Sequence, residues 1–111
     1  MRVVASADGP VIALDQSPHL NSCRPAVDAL FSSLADVYGP AVVASVLTGM
    51  GQDGLRGAQQ LAARGARILA QDEASSVVWG MPGAVVNAGV AGQVLPLHAV
   101  VPAILRLVDG L

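Results

Sequence analysis

Residues Ala41 to Gln71, AVVASVLTGMGQDGLRGAQQLAARGARILAQ, decide the fold. Ala41–Leu47 is apolar without alternation and carries three valines, the pattern of a strand covered on both faces. Leu55–Arg64 is built from good helix formers (Ala, Gln, Leu, Arg), and Gly65 stops it. Ala66–Gln71 reads as a second strand. Strand, helix, strand over about thirty residues is a right-handed βαβ unit with parallel strands. The class is therefore α/β, with a doubly wound, mostly parallel sheet between helical layers.

Upstream, Arg2–Ala5 and Val11–Leu14 are short apolar runs separated by Ala7-Asp8-Gly9-Pro10, a hairpin signal. Asp15–Cys23 is polar and reads as a loop. Pro25 suits a first helical position, and Val27, Leu30, Phe31, Leu34, Ala35 and Tyr38 follow at helical spacing until Gly39-Pro40. Downstream, Ala74–Met81 and Pro82–Ala88 are expected to form two short helical pieces around Gly80-Met81-Pro82. Val94–Leu97 is expected as a last short strand. Val101, Ile104, Leu105 and Val108 mark a closing helix.

Composition bounds the function. The chain has 111 residues, 53% hydrophobic, 3% aromatic and 13% charged, against roughly a quarter charged in an average soluble protein. No apolar run approaches the roughly 18 to 20 residues needed to span a membrane, and the first residues lack the apolar core of a secretory signal. There is no lysine, the six arginines are scattered, and the formal net charge is −2, which argues against nucleic acid as a partner. The single cysteine, Cys23, excludes an internal disulfide framework and a multi-cysteine zinc site, and fits a reducing compartment. So few charges on so small a domain suggest that residues 1–111 form a single partial domain that either associates or belongs to something larger.

In an open parallel sheet, ligands gather at the carboxyl ends of the strands, which places Thr48–Gly54 at the leading site. Its content admits two readings. Gly49, Gly51 and Gly54 spell G-x-G-x-x-G, and Asp72 stands 18 residues beyond Gly54 where a ribose-binding carboxylate belongs. Against this dinucleotide reading, Asp53 puts a carboxylate where the pyrophosphate must bind. Alternatively Asp53 is itself functional. A carboxylate just ahead of a helix accepts backbone N–H bonds, is favoured as an anion, and can orient a histidine in a nucleophilic triad. The plain structural alternative is an ordinary N-cap of the helix that follows.

Three segments carry a family resemblance. Leu47–Gly54, LTGMGQDG, resembles the LTGMGxDG segment of the protein-glutamate methylesterases of bacterial chemotaxis, the CheB family. Arg24–Phe31, RPAVDALF, is similar to the family's RPSVDxLF. Gln71–Pro82, QDEASSVVWGMP, is similar to its QxEASxVV[FY]GMP. The motifs come in family order and span nearly the whole chain.

The resemblance implies a serine nucleophile attacking the methyl ester of a glutamate on the cytoplasmic helices of a chemoreceptor. A histidine acts as general base, held by an aspartate, and glutamine side chains are deamidated similarly. It assigns the aspartate to Asp53 and an oxyanion-binding backbone N–H to Met50, whose alternative role is simply to line the loop. It implies a cytoplasmic location, no cofactor and no metal.

The family's serine and histidine lie in segments upstream of the first motif matched here, as does its receiver domain. The chain thus resembles only the C-terminal third or so, truncated at its N-terminal side with the hairpin leading, and carries one triad member. It is not expected to catalyse alone. Its expected partners are methylated receptor helices, together with the upstream part of the same enzyme or a second copy. The competing class is a non-catalytic interaction module whose cut sheet exposes a strand edge and an apolar face.

Local substitutes for the missing pair are poor. Ser17 and His19 read as polar loop groups, Ser75 and Ser76 as turn or capping residues, and His98 as an exposed helix start. Cys23 has no histidine at a telling spacing, and Arg24 reads first as a partner for a carboxylate such as Asp28 or Asp53.

Overall fold

A computed structural model describes residues 1–14, 18 and 26–110. Elements run β1 (Arg2–Val4), β2 (Val11–Ala13), α1 (Val27–Val37), β3 (Val43–Val46), α2 (Leu55–Ala63), β4 (Arg67–Gln71), α3 (Gly80–Asn87), β5 (Gln93–Leu95) and α4 (Leu97–Asp109). β3, β4 and β5 form a parallel sheet in that order, joined through α2 and α3. The alternation of strand, helix and strand expected from Ala41–Gln71 is what the fold shows.

The strand pairing sorts the core. Ala44 stands opposite Ile68 and Val46 opposite Ala70, so these four share one face. There they meet Phe31 and Ala35 of α1, Ala58 and Leu61 of α2, and Val85 of α3, with Leu61, Ala58 and Val85 fully buried. Ser45 and Leu69 point to the other face, where α4 contributes Val100 and Ala103. That second layer is thin. Val43 and Ser45 remain half-buried, so β3 is fully covered on one face only, which corrects the two-sided burial read from its valines.

The hairpin pairs Arg2 with Ala13 and Val4 with Val11. Ser6 and Gly9 exchange both backbone hydrogen bonds at 3.1 Å, making Ala7-Asp8 the two turn residues. The hairpin lies on α1, where the buried Ser33 Oγ accepts the Val3 N–H at 2.8 Å and donates to the Leu30 carbonyl at 2.7 Å.

A second correction falls between β4 and β5. Ala74–Trp79 is a turn, not a helix, and one helix, α3, begins at Gly80. The carbonyl of Val78 accepts the Gly49 N–H and the Gly49 carbonyl accepts the Met81 N–H, both at 2.9 Å, which draws this backbone onto the β3 loop instead of into helical bonds. Pro82 then lies in the first helical turn, where its missing N–H costs no helical bond. The last strand ends at Leu95 and α4 opens after the extended Pro96, slightly earlier than the sequence pattern marked.

α1 and α2 pack at unusually close range because Gly57 faces α1. A Cβ there would lie 2.4 Å from the Phe31 Cβ and 3.3 Å from the Asp28 carbonyl oxygen. Gly57→Ala is therefore expected to destabilise the fold by about 1–3 kcal/mol through overpacking, although alanine is the better helix former by about 1 kcal/mol. Chemical denaturation of the two proteins checks it: a midpoint that rises in the variant would contradict this packing.

Candidate active site

The carboxyl ends of β3, β4 and β5 are bridged by two loops, Leu47–Gly54 and Asp72–Trp79. Two buried carboxylates organise the first. Asp53 accepts the Val27 N–H on Oδ2 at 2.7 Å and the Asp28 N–H on Oδ1 at 3.0 Å. Those are the first two amides of α1, whose N-cap position, Ala26, has no side chain able to serve them. In return, Asp28 Oδ1 accepts the Gly54 N–H at 3.1 Å and the Gly57 N–H at 2.8 Å, at the start of α2. Each aspartate thus caps the other's helix. This corrects the plain reading of Asp53 as N-cap of α2: Gly54 occupies that position at φ +100°, and the following helix is capped from α1.

Both carboxylates are buried, at 7% exposure for Asp28 and 8% for Asp53. Burial of both carboxyl groups is offset in part because each accepts two backbone N–H bonds at the start of a helix. The exchange also bears on the dinucleotide reading. The α2 amides that a pyrophosphate would need already bond Asp28, and the Asp72 carboxylate bonds Ser75.

The rest of the loop is stitched to its neighbour. Gln71, 1% exposed, accepts the Thr48 N–H on Oε1 at 2.8 Å and donates Nε2 to the Ser75 carbonyl at 2.8 Å. Thr48 Oγ1 donates to the Val78 carbonyl and accepts the Val78 N–H, at 2.9 and 2.8 Å. Trp79 Nε1 donates to the Gln71 carbonyl at 2.9 Å. Every polar atom of the Gln71 amide has a partner, and leaving one unpaired at that depth costs about 1–3 kcal/mol. Gly80 permits the contact: a Cβ on it would lie 2.9 Å from the Gly49 carbonyl oxygen.

Met50 stands at the tip, 79% exposed, between Gly49 and a Gly51 at φ +79°. Among the described residues no acceptor takes its backbone N–H. Asp53 and Met50 therefore sit on one short loop with contrasting surroundings, a clamped buried carboxylate and an exposed residue whose amide no described residue bonds.

Ser75 and Ser76 are turn residues, as their sequence context suggested. The Ser75 N–H and Oγ both donate to Asp72 Oδ1, at 2.9 and 2.7 Å, and Ser76 Oγ donates to the Asp72 carbonyl. Ser75 Oγ also accepts the Leu97 N–H at 3.1 Å, tying α4 to the site. His98 is exposed on the first turn of α4. Ser17, His19, Cys23, Arg24 and Pro25 lie outside the described residues. Among the described residues no helix is long and apolar enough to cross a membrane, and no cluster of three metal-ligating side chains occurs.

Parallel strands whose carboxyl-end loops carry a buried, helix-capping carboxylate make this an α/β domain with its candidate site at Leu47–Gly54. The comparisons with known proteins name the family. The CheB methylesterase family model matches residues 1–104, and the chain belongs to that family. It is 56% identical over 110 residues to a protein-glutamate methylesterase/protein-glutamine glutaminase of Rhodopseudomonas palustris, covering 99% of this chain and 28% of that protein. A Nocardioides protein of the same description is 56% identical over 106 residues, covering 96% of this chain and 29% of its own length. The crystal structure of the Thermotoga maritima CheB methylesterase catalytic domain superposes with a TM-score of 0.92 at 35% identity, over 96% of this chain and 56% of that one. The chain therefore spans under a third of these curated relatives and somewhat more than half of the solved catalytic domain.

Sequence reasoning missed the parts played by Asp28 and Gln71. A carboxylate in the first turn of α1 was a legible capping signal, but not for which helix. Gln71 sat inside a matched motif with nothing to mark it as buried.

The Asp72 carboxyl is held below its ordinary value of 3.8, first by the Ser75 hydroxyl, then by the Ser75 amide, with the His98 charge adding to both. A folded value below the unfolded one means that the stabilisation is present above the unfolded value and is lost as pH falls through the folded value. An NMR titration of the Asp72 carboxyl carbon is expected to show a midpoint below the ordinary value, and Ser75→Ala should move that midpoint upward. An unchanged midpoint in Ser75→Ala would remove the assigned cause.

Proposed function

We propose that this chain supplies the acidic triad member and the oxyanion loop of a protein-glutamate methylesterase acting on the cytoplasmic helices of a chemoreceptor. The serine and histidine come from the catalytic-domain segment that precedes the matched region in its relatives. In this reading the Asp53 carboxylate accepts the Nδ1–H of that histidine. Each carboxylate oxygen has lone pairs beyond the one used by an α1 amide, so bonding to the helix and to an imidazole are compatible.

The histidine takes the serine proton as the oxygen attacks the ester carbonyl. The Met50 N–H receives the resulting oxyanion, and the protonated imidazole then gives its proton to the departing methanol. Water repeats the sequence on the acyl-enzyme and releases the free carboxylate. A glutamine side chain follows the same course with ammonia as the leaving group. The chemistry calls for no metal or cofactor, and a receptor's cytoplasmic helices place the work in the cytoplasm.

The observation that carries the reading is the buried carboxylate of Asp53, on the loop after β3, fixed by the first two backbone amides of α1. A chimaera tests it, in which this chain replaces the matching segment of the Rhodopseudomonas palustris relative. Methanol release from methylated receptor is the expected result, with Asp53→Ala lowering kcat on the order of 10⁴-fold, the scale seen when a triad aspartate is removed. A soluble, folded chimaera that releases no methanol overturns the reading, as does full activity in Asp53→Ala.

A specific observation favours an association role alongside it. The outer edge of β3 has no strand partner among the described residues. On α4, Leu97, Val101, Leu105 and Val108 form a stripe at helical spacing, each at least half exposed. We infer that the upstream catalytic-domain segment covers these surfaces, and that without it the chain self-associates. Light scattering over a concentration series should show mass rising with concentration for the chain alone, and a constant monomer mass would count against this.

A further inference from the structure

We infer that Asp28 is a positioning residue for Asp53, one that fixes the carboxylate's orientation without touching substrate. The inference rests on the hydrolase reading above and extends it to a residue outside the triad and the oxyanion loop.

Asp28 holds Asp53 from both sides. Its own backbone N–H donates to Asp53 Oδ1 at 3.0 Å, and the neighbouring Val27 N–H donates to Oδ2 at 2.7 Å. Its side chain meanwhile accepts the N–H of Gly54, the peptide that directly follows Asp53, at 3.1 Å. The side chain of Asp53 and the backbone leaving it are thus both bonded to one residue. Gly54 adopts φ +100°, which turns the chain sharply between the carboxylate and α2. The same Asp28 oxygen takes the Gly57 N–H at 2.8 Å, and Gly57 lies against the α1 backbone with no room for a Cβ. Loosening Asp28 therefore releases the loop end that aims the Asp53 carboxylate, while the core of Leu61, Ile68 and Val85 stays packed.

The bonding pattern makes a discriminating pair of variants. Both amides at the α2 start bond the same Asp28 oxygen, so Asp28→Asn keeps an acceptor for them. Asp53 uses both oxygens, so Asp53→Asn must turn an amide N–H₂ toward the Val27 or the Asp28 N–H, donor against donor.

The test uses the chimaera described above, with Asp28→Ala, Asp28→Asn, Asp53→Asn and, as a stability control, Val85→Ala. Asp28→Ala is expected to lower kcat by roughly ten- to a hundredfold, the scale of a small misplacement of a catalytic group, with KM little changed. Asp28→Asn should recover most of that loss and Asp53→Asn none. Val85→Ala should leave kcat near its parent value despite lower thermal stability. The positioning role is overturned if Asp28→Asn is as impaired as Asp28→Ala, or if Asp28→Ala retains kcat as the control does.

A second readout is independent of turnover. In this chain alone, Asp28→Ala should speed amide hydrogen exchange at Val27 and at residue 28, whose protectors are the Asp53 oxygens, and Asp28→Asn should not. Unchanged exchange in Asp28→Ala overturns the positioning role. An inactive chimaera combined with the expected exchange pattern would instead bring down the hydrolase reading alone.

Discussion

Two carboxylates exchanged between two helix starts hold this domain in register. α1 has 11 residues and α2 nine, lengths at which an isolated helix is marginal in water. Each opens with orphan amides that its own N-cap residue does not serve. The partner helix supplies the missing acceptor in both directions, through Asp53 and Asp28. A buried anion without donors would be costly, and a helix start without an acceptor would be as well. Each deficit offsets the other, but only when α1 and α2 lie together. The small residue at Gly57 makes that approach possible, and the buried Phe31, Ala35, Ala58 and Leu61 make it favourable.

The rest of the site follows from the same region of backbone. With Asp53 bonded to α1, the loop from Thr48 to Gly54 is anchored at its far end. Gln71 and Thr48 anchor its near end to the turn after β4. Between the anchors, Met50 is exposed, and among the described residues nothing accepts its amide. Anchored ends, with an amide between them that no described residue bonds, are what the oxyanion role proposed for Met50 asks of this loop. Ser75 extends the network to the last helix, bonding Asp72, Gln71 and Leu97 at once.

Much of this was legible along the chain. The non-alternating, valine-rich run of β3, the helix formers after Gly54 and the stop at Gly65 specified strand, helix and strand, because backbone geometry reads period and punctuation locally. The motifs around Thr48–Gly54 and Gln71–Pro82 marked the strand ends that meet at the site. The misreadings share one cause. Ala74–Trp79 had the composition of a short helix, yet its backbone bonds Gly49 and Thr48, residues distant in sequence. The valines of β3 suggested burial on both faces, but α4 covers the second face only in part.

The sequence by itself determined the α/β class, the order of elements, the placing of Asp53 and Met50 on the loop after the first strand of the parallel sheet, and the membership of a methylesterase family. These rest on local periodicity, turn chemistry and motif identity, each written within a few adjacent residues. Tertiary structure alone decided which carboxylate caps which helix, that Gln71 is buried as the brace of the loop, and that Gly57 is a contact point instead of a weak helix residue. Those outcomes depend on where an acceptor or a side chain lies in space, and residues 25 or more positions apart meet only after the sheet has brought their helices together.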